Sequence, residues 1–352
     1  MKFNFKKMFP KLLLFAVITI LLIIIIFSLN DISEIGKVLG TVSWKWMIFA
    51  FGLLLVYVII NPISLYLLGK SKDEKDVSFT DSMMIGTIEY FFNGVTPFSS
   101  GGQPLQVYAY NKIGVKPSRS TGILLMNFVT FQIALVFLCL LSLIYYQDLT
   151  NGQLALKIMV IIGLTMNTFI LTLFTSLGLS KTVRKVLSKI VSWFCHLKIF
   201  KGKLDKFIVS FDNYCYDAQR TFHSLLQEKG KFFLCILLKI LSLLANYAIP
   251  FFILKSINIP VDLSLIPMLT AMTTFAIAMT CYIPTPGSSG GIEFAFQSLF
   301  ATIAVMSDSE VVSGMLLWRF LTYYVLMILS FLVYLLFENK TSKNKKEEII
   351  SE

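Results

Sequence analysis

Six stretches of this chain, at 12–29, 46–68, 121–146, 154–179, 232–254 and 311–337, are long and apolar enough to cross a bilayer, for which a helix needs about 20 mostly apolar residues. Hydrocarbon offers backbone N–H and C=O groups no partner, so each stretch must satisfy its own hydrogen bonds by coiling into a helix. The composition agrees: 56% hydrophobic residues, 14% charged residues and a mean hydropathy of +0.75 exclude an ordinary soluble domain. The first stretch has a basic flank like a secretion signal, but no small-residue cleavage site follows it, and it is read as a retained helix. The expected fold class is an all-α polytopic membrane protein.

Against that background one polar segment occurs twice. Thr96-Pro97-Phe98-Ser99-Ser100-Gly101-Gly102 returns as Thr285-Pro286-Gly287-Ser288-Ser289-Gly290-Gly291, with one mismatch. Turn-forming backbone inside a membrane protein is tolerated only where it lines a cavity or is buried in protein. The similarity extends to the next helix, where Leu125-Met126-Asn127-Phe128-Val129-Thr130-Phe131 matches Leu317-Trp318-Arg319-Phe320-Leu321-Thr322-Tyr323. Motif and following helix repeat together, although two tight turns at helix contacts would also explain the motif alone.

Charge sets the orientation of the two copies. Four Lys or Arg fall in 1–11, three in 70–78, three in 111–119, eleven in 180–231 and four in 338–352, which is 25 of the 31. With both termini cytoplasmic, all of these lie inside, as the positive-inside rule requires, and only Lys37, Lys45 and Lys255 lie outside. The net charge of +11 is thus a topology signal rather than a nucleic-acid one. The first motif then lies between two inside loops and the second between two outside loops. Six spans plus two broken or re-entrant helix pairs, arranged as inverted-topology repeats at about 46–146 and 232–338, are expected. Many secondary transporters use that arrangement to hold substrate between related halves. Segment 79–92 is short for a span, whereas 263–283 is long enough to cross.

The motif chemistry suits an anionic headgroup. Backbone N–H groups of a Ser-Ser-Gly-Gly turn opening a helix can cradle phosphate, Pro97 and Pro286 fix the turn entries, and Pro104 suits the first position of a following helix. The alternative is simple helix capping by the Ser and Thr hydroxyls. Charges within the apolar region are functional candidates by default: Glu89, Glu293 and Arg319, with Arg319 able to pair with phosphate or with Glu293. Lys239 is expected to snorkel toward the cytoplasmic face.

The insertion between the halves, 180–230, carries two amphipathic patterns. Val183, Val186, Leu187, Ile190, Val191 and Phe194 oppose Lys181, Arg184, Lys185 and Lys189, as in an interfacial helix. Leu204, Phe207, Ile208, Phe211, Tyr214, Ala218, Phe222 and Leu225 form a second stripe, and a cytoplasmic helical hairpin on the anionic inner leaflet is expected. The five cysteines and two histidines show no ligand spacing, so neither metal nor cofactor is expected. Walker and HExxH motifs are absent from the sequence.

Asn93-Gly94-Val95-Thr96-Pro97 with Gly101-Gly102-Gln103-Pro104, and Pro284-Thr285-Pro286-Gly287 with Gly290-Gly291-Ile292-Glu293, together with Arg319, resemble the lysylphosphatidylglycerol synthase transmembrane region. This is also called the flippase-like domain family, whose best-known members are the multiple peptide resistance factors. The resemblance covers roughly 10–338 and implies a single membrane domain over 1–338, followed by a polar cytoplasmic tail at 339–352. About fifteen polar residues follow the last helix, so the soluble lysyltransferase domain of the full-length factors is expected to be absent. The implied function is flipping or scrambling of a phospholipid such as lysylphosphatidylglycerol, or of a polyprenyl-phosphate-linked lipid, in the cell membrane. The ligand would be an anionic or aminoacylated phospholipid, with a separate lipid synthase as a partner and no nucleic acid. The substrate-binding candidates are Glu89, Asn93, Thr96, Pro97, Ser99, Ser100, Gly101, Gly102 and Gln103 in the first half. In the second they are Thr285, Pro286, Ser288, Ser289, Gly290, Gly291, Glu293 and Arg319. The alternatives are a phosphatidylglycerol lysyltransferase or its membrane subunit, contributing to resistance to cationic antimicrobial peptides, and a lipid-binding scaffold.

Overall fold

A computed structural model describes residues 32–70, 76–151, 154–195, 205–280, 283–303 and 306–351. These residues form helices joined by short turns, with no strand among them. In order they are α1 (Ile32–Gly40), α2 (Trp44–Gly69), α3 (Phe79–Val95), α4 (Gly102–Lys112), α5 (Pro117–Tyr146), α6 (Asp148–Asn151), α7 (Leu154–Leu179) and α8 (Lys181–Cys195). There follow α9 (Asp205–Gln227), α10 (Lys229–Tyr247), α11 (Ile249–Ser256), α12 (Ile266–Ala278), α13 (Gly291–Phe300), α14 (Asp308–Arg319) and α15 (Leu326–Ser351). The protein is an all-α polytopic membrane protein.

Five of the six expected spans are present as helices long and apolar enough to cross: Trp44–Gly69, Pro117–Tyr146, Leu154–Leu179, Lys229–Ser256 and Asp308–Ser342. The sixth expectation, 12–29, lies outside the described residues. Two spans are interrupted. At Ala248 the backbone breaks between α10 and α11 because Pro250, at the start of α11, has no N–H to continue the ladder. A π-helical turn, Phe320–Val325, separates α14 from α15 directly after Arg319. In the segment 263–283, expected to be long enough to cross, a 3-10 turn at Leu263–Leu265 precedes a helix of only 13 residues, α12. At 1.5 Å per residue that is about 20 Å, short of a bilayer core of about 30 Å. The tail after 338 continues α15 as helix rather than leaving it.

Hydrogen bonds between chain ends of helices define two ends of the molecule. At one, Arg119 donates to the Gly69 carbonyl (3.1 Å), Lys340 meets Asp81 (2.8 Å), Lys112 meets Glu338 (2.5 Å) and Gln219 donates to the Leu177 carbonyl (2.8 Å). This is the basic end. At the other, the Ser43 N–H donates to Ser256 (2.7 Å) and Asn258 donates to Thr41 (3.3 Å). α3 leaves the basic end and α4 returns to it; α12 leaves the opposite end and α13 returns there. The two hairpins meet at their tips, the turns at 97–99 and 286–288 being in contact. Each entry helix also packs on the other half: α3 on α15, and α12 on α5. That exchange, with opposite entry, is the geometry of an inverted repeat.

Apolar packing follows the same division. One core joins α11, α12, α13 and α14 with the first half of α2, through Leu269, Phe275, Phe296, Met315 and Leu54. The other joins α3, α4 and α5 with the end of α2, through Ile85, Ile88, Tyr110, Met126 and Leu65. Exposed Ile158, Ile161, Ile162 and Phe169 on α7, and Phe233, Leu237 and Leu241 on α10, form the apolar exterior that a chain in lipid carries.

The insertion forms the two helices its periodicity indicates. α9 docks on α5 and α7, burying Ala218, Phe222 and Leu225 and placing Tyr214 against Thr121 (2.5 Å). On α8 Val186, Ile190, Trp193 and Phe194 remain exposed, as does Phe207 of α9.

Candidate functional site

Both motifs fold on one backbone plan. Pro97 and Pro286 each open a 3-10 turn, and the next two residues are left-handed: Phe98 (φ 55°) and Ser99 (φ 50°), Gly287 (φ 58°) and Ser288 (φ 53°). The mismatch between the motifs therefore falls on a position with positive φ in both. Gly287 is fixed by its neighbour: a Cβ there would stand 2.2 Å from the Tyr323 ring. Phe98 is 58% exposed.

Three of the four glycine N–H groups expected to cradle an anion are already engaged. Gly101 donates to Thr96 Oγ1 (2.8 Å), Gly102 to Asn93 Oδ1 (2.9 Å) and Gly290 to Glu293 Oε2 (2.6 Å). In the first motif these internal bonds tie the start of α4 back to the end of α3, and in the second the bond caps α13. Added Cβ atoms at Gly101 and Gly102 would stand 2.6 Å from Thr96 and Asn93 respectively, so close approach of the cap explains both glycines. Pro104 sits third in α4 rather than first, still within the turn whose N–H groups lack helical partners. In the second motif Thr285 donates to the Ser289 carbonyl (2.7 Å), and Ser289 donates to the Pro286 carbonyl (2.8 Å).

Arg319 closes the second motif. Its Nε donates to Glu293 Oε1 (2.7 Å), and its Nη2 donates to the Gly287 carbonyl (3.2 Å) and Ser289 Oγ (3.0 Å). Arg319 and Glu293 are both buried, and the guanidinium lies 4.3 Å from the Tyr323 ring centre. Tyr323 Oη then donates to the Gly94 carbonyl (2.7 Å), just before the first motif. One chain of contacts thus runs from Glu293 through Arg319 and Tyr323 to the other hairpin. The pairing of Arg319 with Glu293 was one of two options read from the sequence, and the geometry selects it.

The tips differ in exposure. Pro97, Phe98, Ser99 and Ser100 are exposed, whereas Pro286, Ser289, Ile292 and Glu293 are buried. Gln103 and Pro104, which replace Ile292 and Glu293, line a cavity of 330 Å³ toward the basic end, between α4, α5, α7 and the insertion. Its walls are largely apolar, with Val107, Leu124, Leu125 and Phe174 opposite Tyr214 and Cys215. Burial pushes the Cys215 thiol above its ordinary pKa.

A second polar cluster lies away from the motifs. Lys239 does not snorkel: it is 2% exposed, and its ammonium donates to the side-chain and main-chain oxygens of Asn61. Asn61 Nδ2 in turn donates to Glu89 Oε1 (3.1 Å) and to Tyr90 Oη (2.6 Å). Three helices, α2, α3 and α10, thereby contribute to one bridged cation–amide–carboxylate set. Snorkelling fails because Lys239 faces α2, where Asn61 supplies two oxygens, and not lipid. Ser64 links this region to Asn127 (2.8 Å), the residue matched to Arg319 in the repeat. Asn61 and Tyr90 were not named from the sequence, and Asn127 and Tyr323 entered only as members of the repeated helix segment. Asn61 beside Pro62 within an apolar run was the available signal.

Among the described residues no group of three or more His, Cys, Asp or Glu is arranged to hold a metal. The family described as lysylphosphatidylglycerol synthase TM region matches residues 11–330. No curated protein matches the chain.

Proposed function

Because the chain belongs to the lysylphosphatidylglycerol synthase TM region family, we propose that it moves a phospholipid, or a polyprenyl-phosphate-linked lipid, between the leaflets of the cell membrane. The observation that carries this reading is the meeting of two like hairpins that enter from opposite ends. A lipid headgroup crossing hydrocarbon needs a polar route reachable from both sides, and paired re-entrant hairpins supply one in many transporters. The basic end is the cytoplasmic one, with both termini inside, in keeping with the distribution of Lys and Arg.

In this reading the exposed first tip, Pro97 to Ser100, and the cavity beyond Gln103 receive the lipid from the cytoplasmic leaflet. Headgroup polarity is met by Asn93, Thr96 and Gln103, and acyl chains by Val107, Leu124, Leu125 and Phe174. The Arg319–Glu293 pair gives the second tip a fixed charged floor, against which an aminoacylated headgroup presents its amine to Glu293 and its phosphate to Arg319. The Asn61-bridged set of Lys239 and Glu89 stands beside the route as the place where a proton or charged headgroup would be compensated.

The test is reconstitution into vesicles with labelled phosphatidylglycerol, lysylphosphatidylglycerol and a polyprenyl phosphate, following leaflet exchange. Wild type should exchange at least one of them, and Gly101→Leu should slow that exchange because Leu displaces Thr96 from its cap. Folded protein that exchanges none of the three lipids would overturn the proposal. Transfer of lysine to phosphatidylglycerol by the chain alone would favour the synthase reading instead.

A further inference from the structure

A separate open cavity of 350 Å³ lies at the basic end, between the C-terminus of α2, the N-terminus of α5 and the outer face of α9. Four cationic side chains line it: Lys70, Lys116, Arg119 and Arg220. Two carboxylates, Asp217 and Glu228, also reach it, and Glu228 is engaged by Lys231 at 2.6 Å. The hydroxyls of Ser118, Thr221 and Ser224 complete a wall that is more polar than apolar.

The cations are arranged at two depths. Arg119 is buried and is held at the base by the Gly69 carbonyl (3.1 Å), while Lys70, Lys116 and Arg220 are exposed at the rim. Lys116 is also the residue that caps the 30-residue helix α5, whose N-terminal dipole therefore points into the same space. Like charges repel, and four cations around one cavity are held together most favourably when an anion lies among them. The size is in the range of small-ligand pockets, which begins at about 300 Å³.

We propose that this cavity is a binding site for a phosphate group, with Arg119 at its floor, Lys116 and Arg220 as the closing pair, and the hydroxyls of Ser118 and Ser224 as further donors. Arginine and lysine at this density match phosphate oxygens by charge-assisted hydrogen bonds. The phosphate is carried by a phospholipid headgroup at the membrane surface or by a small soluble phosphate compound. The site is independent of which lipid crosses the membrane. It shares α9 with the apolar cavity described above: Asp217, Arg220, Thr221 and Ser224 face the cationic cavity, and Tyr214, Cys215, Ala218 and Gln219 face the apolar one. Ligand bound on one face of α9 therefore sets how firmly that helix closes the other.

The experiment is calorimetric titration of the purified protein, in a phosphate-free detergent at constant ionic strength, with inorganic phosphate and with water-soluble dihexanoyl phosphatidylglycerol. Saturable binding of either ligand supports the site. Binding of the lipid alone identifies a headgroup, and binding of inorganic phosphate identifies the phosphate group itself as sufficient. Lys116→Gln with Arg220→Gln should weaken the observed binding about ten-fold or more, given the strength of charge-assisted hydrogen bonds. Lys116→Arg with Arg220→Lys should retain it, which separates charge from folding. Lys45→Gln, exposed at the opposite end of the molecule, serves as the neutral control. The proposal is overturned if neither ligand binds saturably, or if the double Gln variant binds as wild type does.

Discussion

Arg319 Nε and Glu293 Oε1 stand 2.7 Å apart, both side chains buried, joining the helix after the second motif to the helix that ends in its π-helical turn. A buried pair of this kind is strongly destabilised when one partner is removed, by about 3–5 kcal/mol, because the other charge is left uncompensated. Glu293 also holds the Gly290 N–H, so Glu293→Gln keeps a hydrogen-bonding side chain but strands the guanidinium. Arg319→Met and Glu293→Gln should each lower the thermal unfolding midpoint markedly, and the double variant should recover part of the loss. Additive losses in the double variant would show that the pair does not act as a unit.

Lys239, Asn61 and Glu89 make a second charged set that bridges the two halves, with the amide between the charges. Lys239→Met should be more destabilising than a surface lysine change, by about 1–3 kcal/mol, since Asn61 loses a buried donor. Combining it with Glu89→Gln removes both charges and should restore stability while abolishing any dependence of lipid exchange on a pH gradient. If Lys239→Met is neutral in unfolding, the buried bridge is not formed.

The two sets show why the sequence was informative about one half of the site and less so about the other. The spans at 46–68, 121–146, 154–179, 232–254 and 311–337 were legible because each is a local property of an apolar run. The two turns were legible because seven residues repeat. Lys239 was misread because its burial depends on Asn61, 178 positions away, and on packing of α10 against α2. The π-helical turn after Arg319 was not legible: Phe320 to Val325 is rich in aromatic and β-branched residues of modest helix propensity, a composition that does not distinguish a π-turn from ordinary helix. Segment 263–283 was read as long enough to cross because its apolar length was counted, whereas the backbone enters α12 only at Ile266 and leaves it at Ala278.

Phe98 and Gly287 occupy the same left-handed position, yet only one can change. Phe98→Gly should relieve a conformation costing roughly 1–2 kcal/mol for a residue with Cβ, leaving stability equal or improved. Gly287→Ala should be destabilising by more than that, because strain adds to the approach of Tyr323 at 2.2 Å. Thermal unfolding of the two variants checks the pair. Equal and small effects would remove the argument that Tyr323 dictates the mismatch.

The exposed face of α8 predicts contact with lipid. Trp193 is 63% exposed beside Phe194 and Ile190, on the helix that carries Lys181, Lys185 and Lys189. Amphipathic basic helices of this type settle at the headgroup boundary. With Trp44, Trp46 and Trp318 changed to Phe, Trp193 fluorescence in anionic vesicles should be quenched more by lipids brominated near the headgroup than by lipids brominated at the chain ends. Quenching by aqueous acrylamide but by neither lipid would place this face in water.

Cys215 reports on the cavity beyond Gln103. Its thiol lines that cavity, and burial raises its pKa above the ordinary 9.0, so the reactive thiolate is scarcer at neutral pH than in a free cysteine. The sign follows directly: maleimide labelling of a variant retaining only Cys215 should be slow at pH 7, and should rise with pH to a half-point above the ordinary thiol value. A lipid occupying the cavity adds apolar contacts around the sulfur and excludes reagent, so phosphatidylglycerol should slow labelling further at every pH. Gln103→Leu, which removes a polar group at the cavity wall without touching the thiol, should reduce that protection if the headgroup is read there. Labelling that is fast at pH 7 and indifferent to lipid would show that the cavity is open to water and empty of substrate, and the entry route would then have to lie elsewhere along the first hairpin.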